Sequence, residues 1–153
     1  MSEKAFVNLN NARVDEQRDT MNRIVEDGVC PFCRDHLAKY HKKPILREGT
    51  HWLLTTNQWP YEHTKHHLLA IATEHVEHFC DLPEGALEEL GGHFAWATKE
   101  FEIPGGGILM RFGPYEKAGS TVRHLHAQLI EPDLDSPGYE PVRAKIGRSS
   151  KKD

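Results

Sequence analysis

The chain has 153 residues, of which 38% are hydrophobic and 27% charged, and its net charge is −4. That length supports one domain with a real core, and that charge excludes a global basic field that would gather nucleic acid. The N-terminal MSEKAFVNLN has no apolar h-region, and no run of about 18 apolar residues occurs. The expectation is therefore a cytoplasmic protein with no signal peptide and no membrane or nucleic-acid partner.

In chain order, NNARVDEQRDTMNRIVEDG reads as a helix closed by Gly28, with Val14, Met21, Ile24 and Val25 only loosely periodic. CPFC follows as a tight turn and RDHLAKYH as a short helix. PILREG and HWLLTTN read as two strands of a hairpin around Glu48-Gly49. HHLLAIA is almost continuously apolar and is expected at the centre of a sheet. LPEGALEELGGHFAWATKEFEI has helical spacing, with Leu87, Leu90, Phe94 and Ala97 on one face. Its Gly91-Gly92 pair weakens it, and it ends before Pro104. GGILMRFG is a fourth strand and RHLHAQLIE a fifth. After Pro132 the chain is rich in Pro, Gly and charge, and 133–153 is expected to be an extended tail. Strands with interspersed helices and short hairpins predict an α+β domain with an antiparallel sheet of about five strands.

The fifth strand carries the strongest chemical signal. Leu125, Ala127 and Leu129 alternate with His124, His126 and Gln128, which is the period of a strand. One face fills the core. The other gathers three groups able to donate, accept or ligate, spaced roughly 6.5 Å apart. A merely solvated face would be served as well by Lys, Glu or Thr.

Cys30-Pro-Phe-Cys33 is a C-x-x-C. A redox pair should follow a strand in a βαβ unit, whereas here it follows a helix. A metal knuckle needs two more ligands. His36 and His41 are near in sequence, but i and i+5 on a helix point about 140° apart. His75 and His124 are the distant candidates, and spacing alone does not choose among them. Cys80 lies outside the pattern and is expected to be buried.

GSTVRHLHAQLIEP resembles the histidine triad superfamily, whose signature alternates histidine with apolar residues after a Gly/Ser-rich loop. NQWPYEHTKHHLLAIATEHVEHF resembles that family's upstream segment, and CPFC its N-terminal zinc knuckle. The likeness runs from about Cys30 to Pro132, which sets a domain at 30–132 between an N-terminal helical extension, 1–29, and the tail. Gln128 stands where most members have a third histidine. The H-x-H-x-Q form resembles the branch of hexose-phosphate uridylyltransferases and diadenosine tetraphosphate phosphorylases, although this chain has the size of the hydrolase-type members.

The resemblance implies a homodimer that acts on nucleoside polyphosphates or nucleotide conjugates as a transferase, phosphorylase or hydrolase. It implies His126 as nucleophile and Gln128 as hydrogen-bond donor to the phosphate. Gly119, Ser120 and Thr121 would contact phosphate oxygens, and Asn57 the ribose. Cys30, Cys33, His75 and His124 would hold a structural zinc, and His67 would be structural. A neutral imidazole is a good nucleophile. Glutamine can stabilise developing charge but cannot protonate a leaving group, so that group should already be a weak base. The alternative is a zinc-stabilised nucleotide-binding or regulatory module with little turnover. Trp52, Trp59 and Trp96 are candidate stacking platforms, with Trp59 foremost because it follows Asn57. Arg111, Lys117 and Arg123 are candidate phosphate-side cations. The tail RAKIGRSSKKD reads as a lid, a nucleic-acid contact or a solvated end.

Overall fold

Five strands form one antiparallel sheet in a computed structural model that describes residues 6–9 and 13–150. They are β1 (Ile45–Glu48), β2 (Trp52–Thr56), β3 (Thr64–Ala72), β4 (Gly107–Met110) and β5 (His126–Pro132). Their spatial order is β1-β2-β3-β5-β4. β3 is central, as its apolar run predicts: with both faces covered, no position has to be polar for solvent. It pairs with β5 so that Leu69 lies opposite Gln128 and Ile71 opposite His126, and opposed residues share a face.

Among the described residues four α-helices accompany the sheet: α1 (Asp15–Asp27), α2 (Arg34–Tyr40), α3 (Ala86–Glu100) and the single turn α4 (Tyr115–Ala118), which the sequence reading did not anticipate. Among the described residues no helix is long and apolar enough to cross a membrane. The main core lies between α3 and one sheet face. Leu90, Phe94 and Ala97 pack there with Trp52, Leu54, Leu68, Ala127 and Leu129. Leu87 was expected in that stripe but is 50% exposed. The buried row runs Ala86, Leu90, His93, Ala97, which leaves Leu87 at its rim.

The opposite sheet face carries a smaller cluster of Leu37, Leu53, Leu69 and Ile71, with Phe32 against it. α1 joins this side through Met21 and Ile24, which pack with Val7 and Tyr40. Its terminus is as expected: Gly28 at φ 68 donates to the carbonyls of Ile24 and Val25, a left-handed cap that suits glycine. Its inward face is not as expected. Val14 and Val25 are 48% and 47% exposed, while Gln17, Thr20, Met21 and Ile24 are buried. The row has helical spacing but half of it is polar, because it forms the wall of a cleft. Residues 10–12 of the expected helix lie outside the described residues.

β5 begins at His126, not Arg123. His124 and Leu125 precede it in a bend, where the Leu125 N–H reaches the Val76 carbonyl. Beyond β5, residues 133–150 form neither helix nor strand, yet they are tied down. The Asp133 N–H donates to His63 O at 2.7 Å and the Arg148 N–H to Glu116 O at 3.0 Å. A Cβ on Gly119 would sit 2.4 Å from Gly147 O, so the tail rests on α4's glycine cap by backbone contact.

Candidate active site and metal centre

Between α1, the CPFC turn and the β3–β5 face lies a cleft of about 370 Å³, lined by His126 and Gln128 among others. His126 Nδ1 lies 2.8 Å from the carbonyl oxygen of His124. A carbonyl can only accept, so Nδ1 carries the proton and Nε2 keeps its lone pair. Burial pushes the imidazole down to about 4, and the Arg111 charge acts in the same sense against the His124 carbonyl bond. At neutral pH the ring is an uncharged base of fixed tautomer.

Gln128 is oriented by a relay from β3. The Tyr61 backbone N–H donates to His67 Nδ1 at 3.1 Å. His67 Nε2 must therefore bear the proton it gives to Gln128 Oε1. With its oxygen so engaged, the Gln128 amide turns an NH₂ donor to the cleft. His67 is 5% exposed. Burial first, then the Arg13, Arg111 and His126 charges, push its pKa down to about 4 against the Gln128 bond.

The two cysteines meet two histidines beside this face. The ligand atoms of Cys30, Cys33, His75 and His124 all lie within 4.8 Å of one another. Cys30 Sγ is 3.4 Å from His124 Nδ1, and Cys33 Sγ is 3.4 Å from His75 Nδ1 and 3.8 Å from His124 Nδ1. The two Nδ1 atoms are 3.2 Å apart. A tetrahedral zinc with ordinary bond lengths requires S···N edges of about 3.6 Å and an N···N edge of about 3.3 Å, so the residues fit the ion. The outer nitrogens are also placed for it. His124 Nε2 donates to Ala72 O at 2.7 Å, and His75 Nε2 contacts Glu77 Oε2 at 2.8 Å. Both arrangements leave Nδ1 as ligand and support the ring from behind. Burial pushes the Cys30 thiol up to about 12, an environment in which a thiolate needs a cation. Phe32, inside the C-x-x-C, sets its ring edge against both His124 and His126, with centroids 6.0 and 5.1 Å away.

Of the remaining expected site residues, Asn57, Gly119 and Thr121 line the cleft. Ser120 is buried between the last two, outside the lining. Asn57 Oδ1 accepts from the Trp59 N–H at 2.8 Å, and Trp59 also lines the cleft. Trp52 is fully buried with Nε1 on Ala86 O, and Trp96 packs against the main core, so neither is a platform here. Arg111 reaches the cleft; Lys117 and Arg123 do not line it. Cys80, expected to be buried, is exposed in a 3-10 turn, Phe79–Asp81. The sequence reading missed Gln17, Thr20, Tyr40 and His41, all on the cleft wall. His41 Nε2 gives its proton to Thr55 Oγ1, which itself donates to Pro44 O, leaving Nδ1 as an acceptor.

No family model and no curated protein matches the chain. Solved structures do. A member of the HIT family from Bacillus subtilis is 27% identical, with 76% of this chain and 82% of that one covered, at a TM-score of 0.55. That likeness joins the buried H-x-H-x-Q segment and the sheet order already described. The chain has the fold of the histidine triad proteins. Two further histidine triad structures share its fold. A zinc-bound histidine triad family protein from Mycobacterium smegmatis is 22% identical over 75% of this chain and 82% of that chain, TM-score 0.53. A histidine triad nucleotide-binding protein from Candida albicans is 20% identical over 76% and 86%, TM-score 0.57.

Proposed function

We propose that this histidine triad chain binds a nucleotide and cleaves its phosphoanhydride through His126. The observation that carries the reading is the His126 Nδ1 bond to the His124 carbonyl, which leaves Nε2 unprotonated and supports its use as the nucleophile. In the first step Nε2 attacks the α-phosphorus of a nucleoside polyphosphate or nucleotide conjugate. A P–N bond forms, the P–O bond to the leaving group breaks, and the leaving oxygen keeps the bonding pair. In the second step an acceptor oxygen (of water, phosphate or a sugar phosphate) attacks the same phosphorus, loses its proton to solvent, and frees His126. The Gln128 NH₂ donates to a non-bridging oxygen as charge builds on it. Having no proton to release, it suits a leaving group that is already a weak base. Gly119 and Thr121 at the cleft, with Ser120 behind them, would meet phosphate oxygens, and Asn57 the ribose.

A zinc ion held by Cys30, Cys33, His75 and His124 would be structural, because four protein ligands leave no open position. It would fix the CPFC turn, and with it Phe32, against the start of β5. The homodimer implied by the family resemblance would use the open edge of β4 and the groove beside it. Leu87, Leu90, Phe94, Ala95 and Ile108 line that groove, and Ile108 is 65% exposed.

Intact-mass spectrometry tests the reading. Wild type and His126→Ala are mixed briefly with diadenosine polyphosphates and with a nucleotide sugar, without acid. A mass gain of one nucleotide on wild type only is expected. Absence of any adduct, with tight nucleotide binding by calorimetry, would replace the enzyme with a binding module. Absence of both would overturn the reading entirely.

A further inference from the structure

The cleft has a charge that the chain as a whole does not. Net charge is −4, with 23 acidic and 19 basic residues. Yet Arg13, Arg111, Arg143 and Lys145 line the cleft, and among the described residues no Asp or Glu does. Four cations around one concavity repel one another, and a low-dielectric wall of one sign focuses its potential. Arg13 feels this directly: burial lowers its pKa and the Arg111 charge adds to the effect.

Two of the four belong to the tail, and the tail is seated rather than loose. The Arg111 Nε–H donates to Lys145 O at 2.8 Å. Gly147 stacks its backbone on Gly119, a contact that a Cβ would forbid, and both glycines hold positive φ, 95 and 71. The backbone at Lys145 and Gly147 is thereby held beside Gly119, which keeps Arg143 and Lys145 on the cleft lining, with the Lys145 ammonium 3.2 Å from Ser149 Oγ. Arg111 is shared between the two ends of the site. Its Nη2 reaches Tyr61 Oη at 3.2 Å, and the Tyr61 ring lies 4.6 Å from that of His67, the partner of Gln128.

From this we infer that the tail completes the substrate site: Arg143 and Lys145, with Arg111, bind a second phosphate group carried by the leaving portion of the substrate. The inference rests on the reading of His126 as nucleophile, since that reading makes the group carrying the extra anion the leaving group. It assigns the substrate class as a nucleotide with at least one phosphate beyond the one attacked. The glutamine at 128 agrees, because a phosphorylated leaving group departs without an acid.

The test is calorimetry on the full chain with a nucleoside monophosphate, the triphosphate of the same base, and inorganic tripolyphosphate. Wild type is compared with Arg143→Gln/Lys145→Gln, whose side chains lie on an exposed segment, so the fold is retained; a thermal melt checks this. In wild type the triphosphate should bind at least about tenfold more tightly than the monophosphate, as one or two charge-assisted hydrogen bonds imply. That ratio should fall toward one in the variant, and tripolyphosphate affinity should fall with it. A ratio that is the same in both proteins overturns the inference, as does a wild-type ratio near one. If no nucleotide binds but tripolyphosphate binds wild type and not the variant, the anion site stands and the nucleotidyl reading falls.

Discussion

At the scale of single residues, the site is built from buried histidines kept neutral. His67 accepts a backbone proton on one nitrogen and gives its own to Gln128 from the other. That arrangement needs one proton on the ring and has no place for a second. Its folded pKa, about 4, lies below the value of about 6.5 that an unfolded histidine has. Between those values the unfolded chain takes up the proton and the folded one does not. The contribution of His67 to stability is therefore full above pH 6.5 or so and is lost as pH falls through about 4. At about 1.4 kcal/mol per pH unit across that window, roughly 3 kcal/mol is at stake. Denaturant unfolding of wild type and His67→Gln at pH 7 and pH 4.5 measures it. Wild type should lose more of its stability than the variant over that range. Equal losses would mean that His67 is not the group that resists protonation.

At the scale of elements, the strands and the last half of the site were legible because they obey a period. The alternation through Leu125, Ala127 and Leu129 places His126 and Gln128 on one face whatever surrounds them, and the apolar run of HHLLAIA makes β3 central. The metal cluster was only half legible. C-x-x-C announces a knuckle, but His75 and His124 are 42 and 91 residues from Cys33, and only the likeness to a family selected them. The wall of the cleft was not legible. α1 buries Gln17 and Thr20 and exposes two valines, so a search for an apolar stripe finds the wrong face. The tail has no period at all, and its placement depends on Gly119 and Gly147 meeting. The metal cluster yields a prediction at this scale. Four ligands from the CPFC turn, the loop after β3 and the bend before β5 converge, so a bound zinc ties three segments together. Cys33→Ser should lower both zinc content, from about one per chain, and melting temperature. A chelator should lower the wild-type melting temperature toward that of the variant. A C-x-x-C used for redox chemistry would leave the melting temperature untouched by chelation.

At the scale of the whole molecule, the two faces of the sheet have different fates. The β3–β5 face toward α1 ends in a cationic cleft. The other face, covered by α3, ends at β4, an edge strand of four residues whose Ile108 points its apolar side chain outward. An open edge with an exposed aliphatic residue is a template for pairing. Beside it Leu87, 50% exposed, extends the apolar patch, and Gly91 and Ala95 on α3 are small enough to let a second backbone approach. The groove lining carries no charged residue, so an occupant of the same apolar character fits it, and a second copy offers one by two-fold symmetry. Antiparallel pairing of β4 with its symmetry mate would continue the sheet across the dimer and cover both copies of Ile108. Sedimentation equilibrium of wild type and Ile108→Lys decides it. Wild type should sediment as a dimer and the variant as a monomer. The variant should keep its melting profile at low concentration, because position 108 is exposed in the single chain. A wild-type monomer at all concentrations, or a variant that still dimerises, would place the interface elsewhere or remove it.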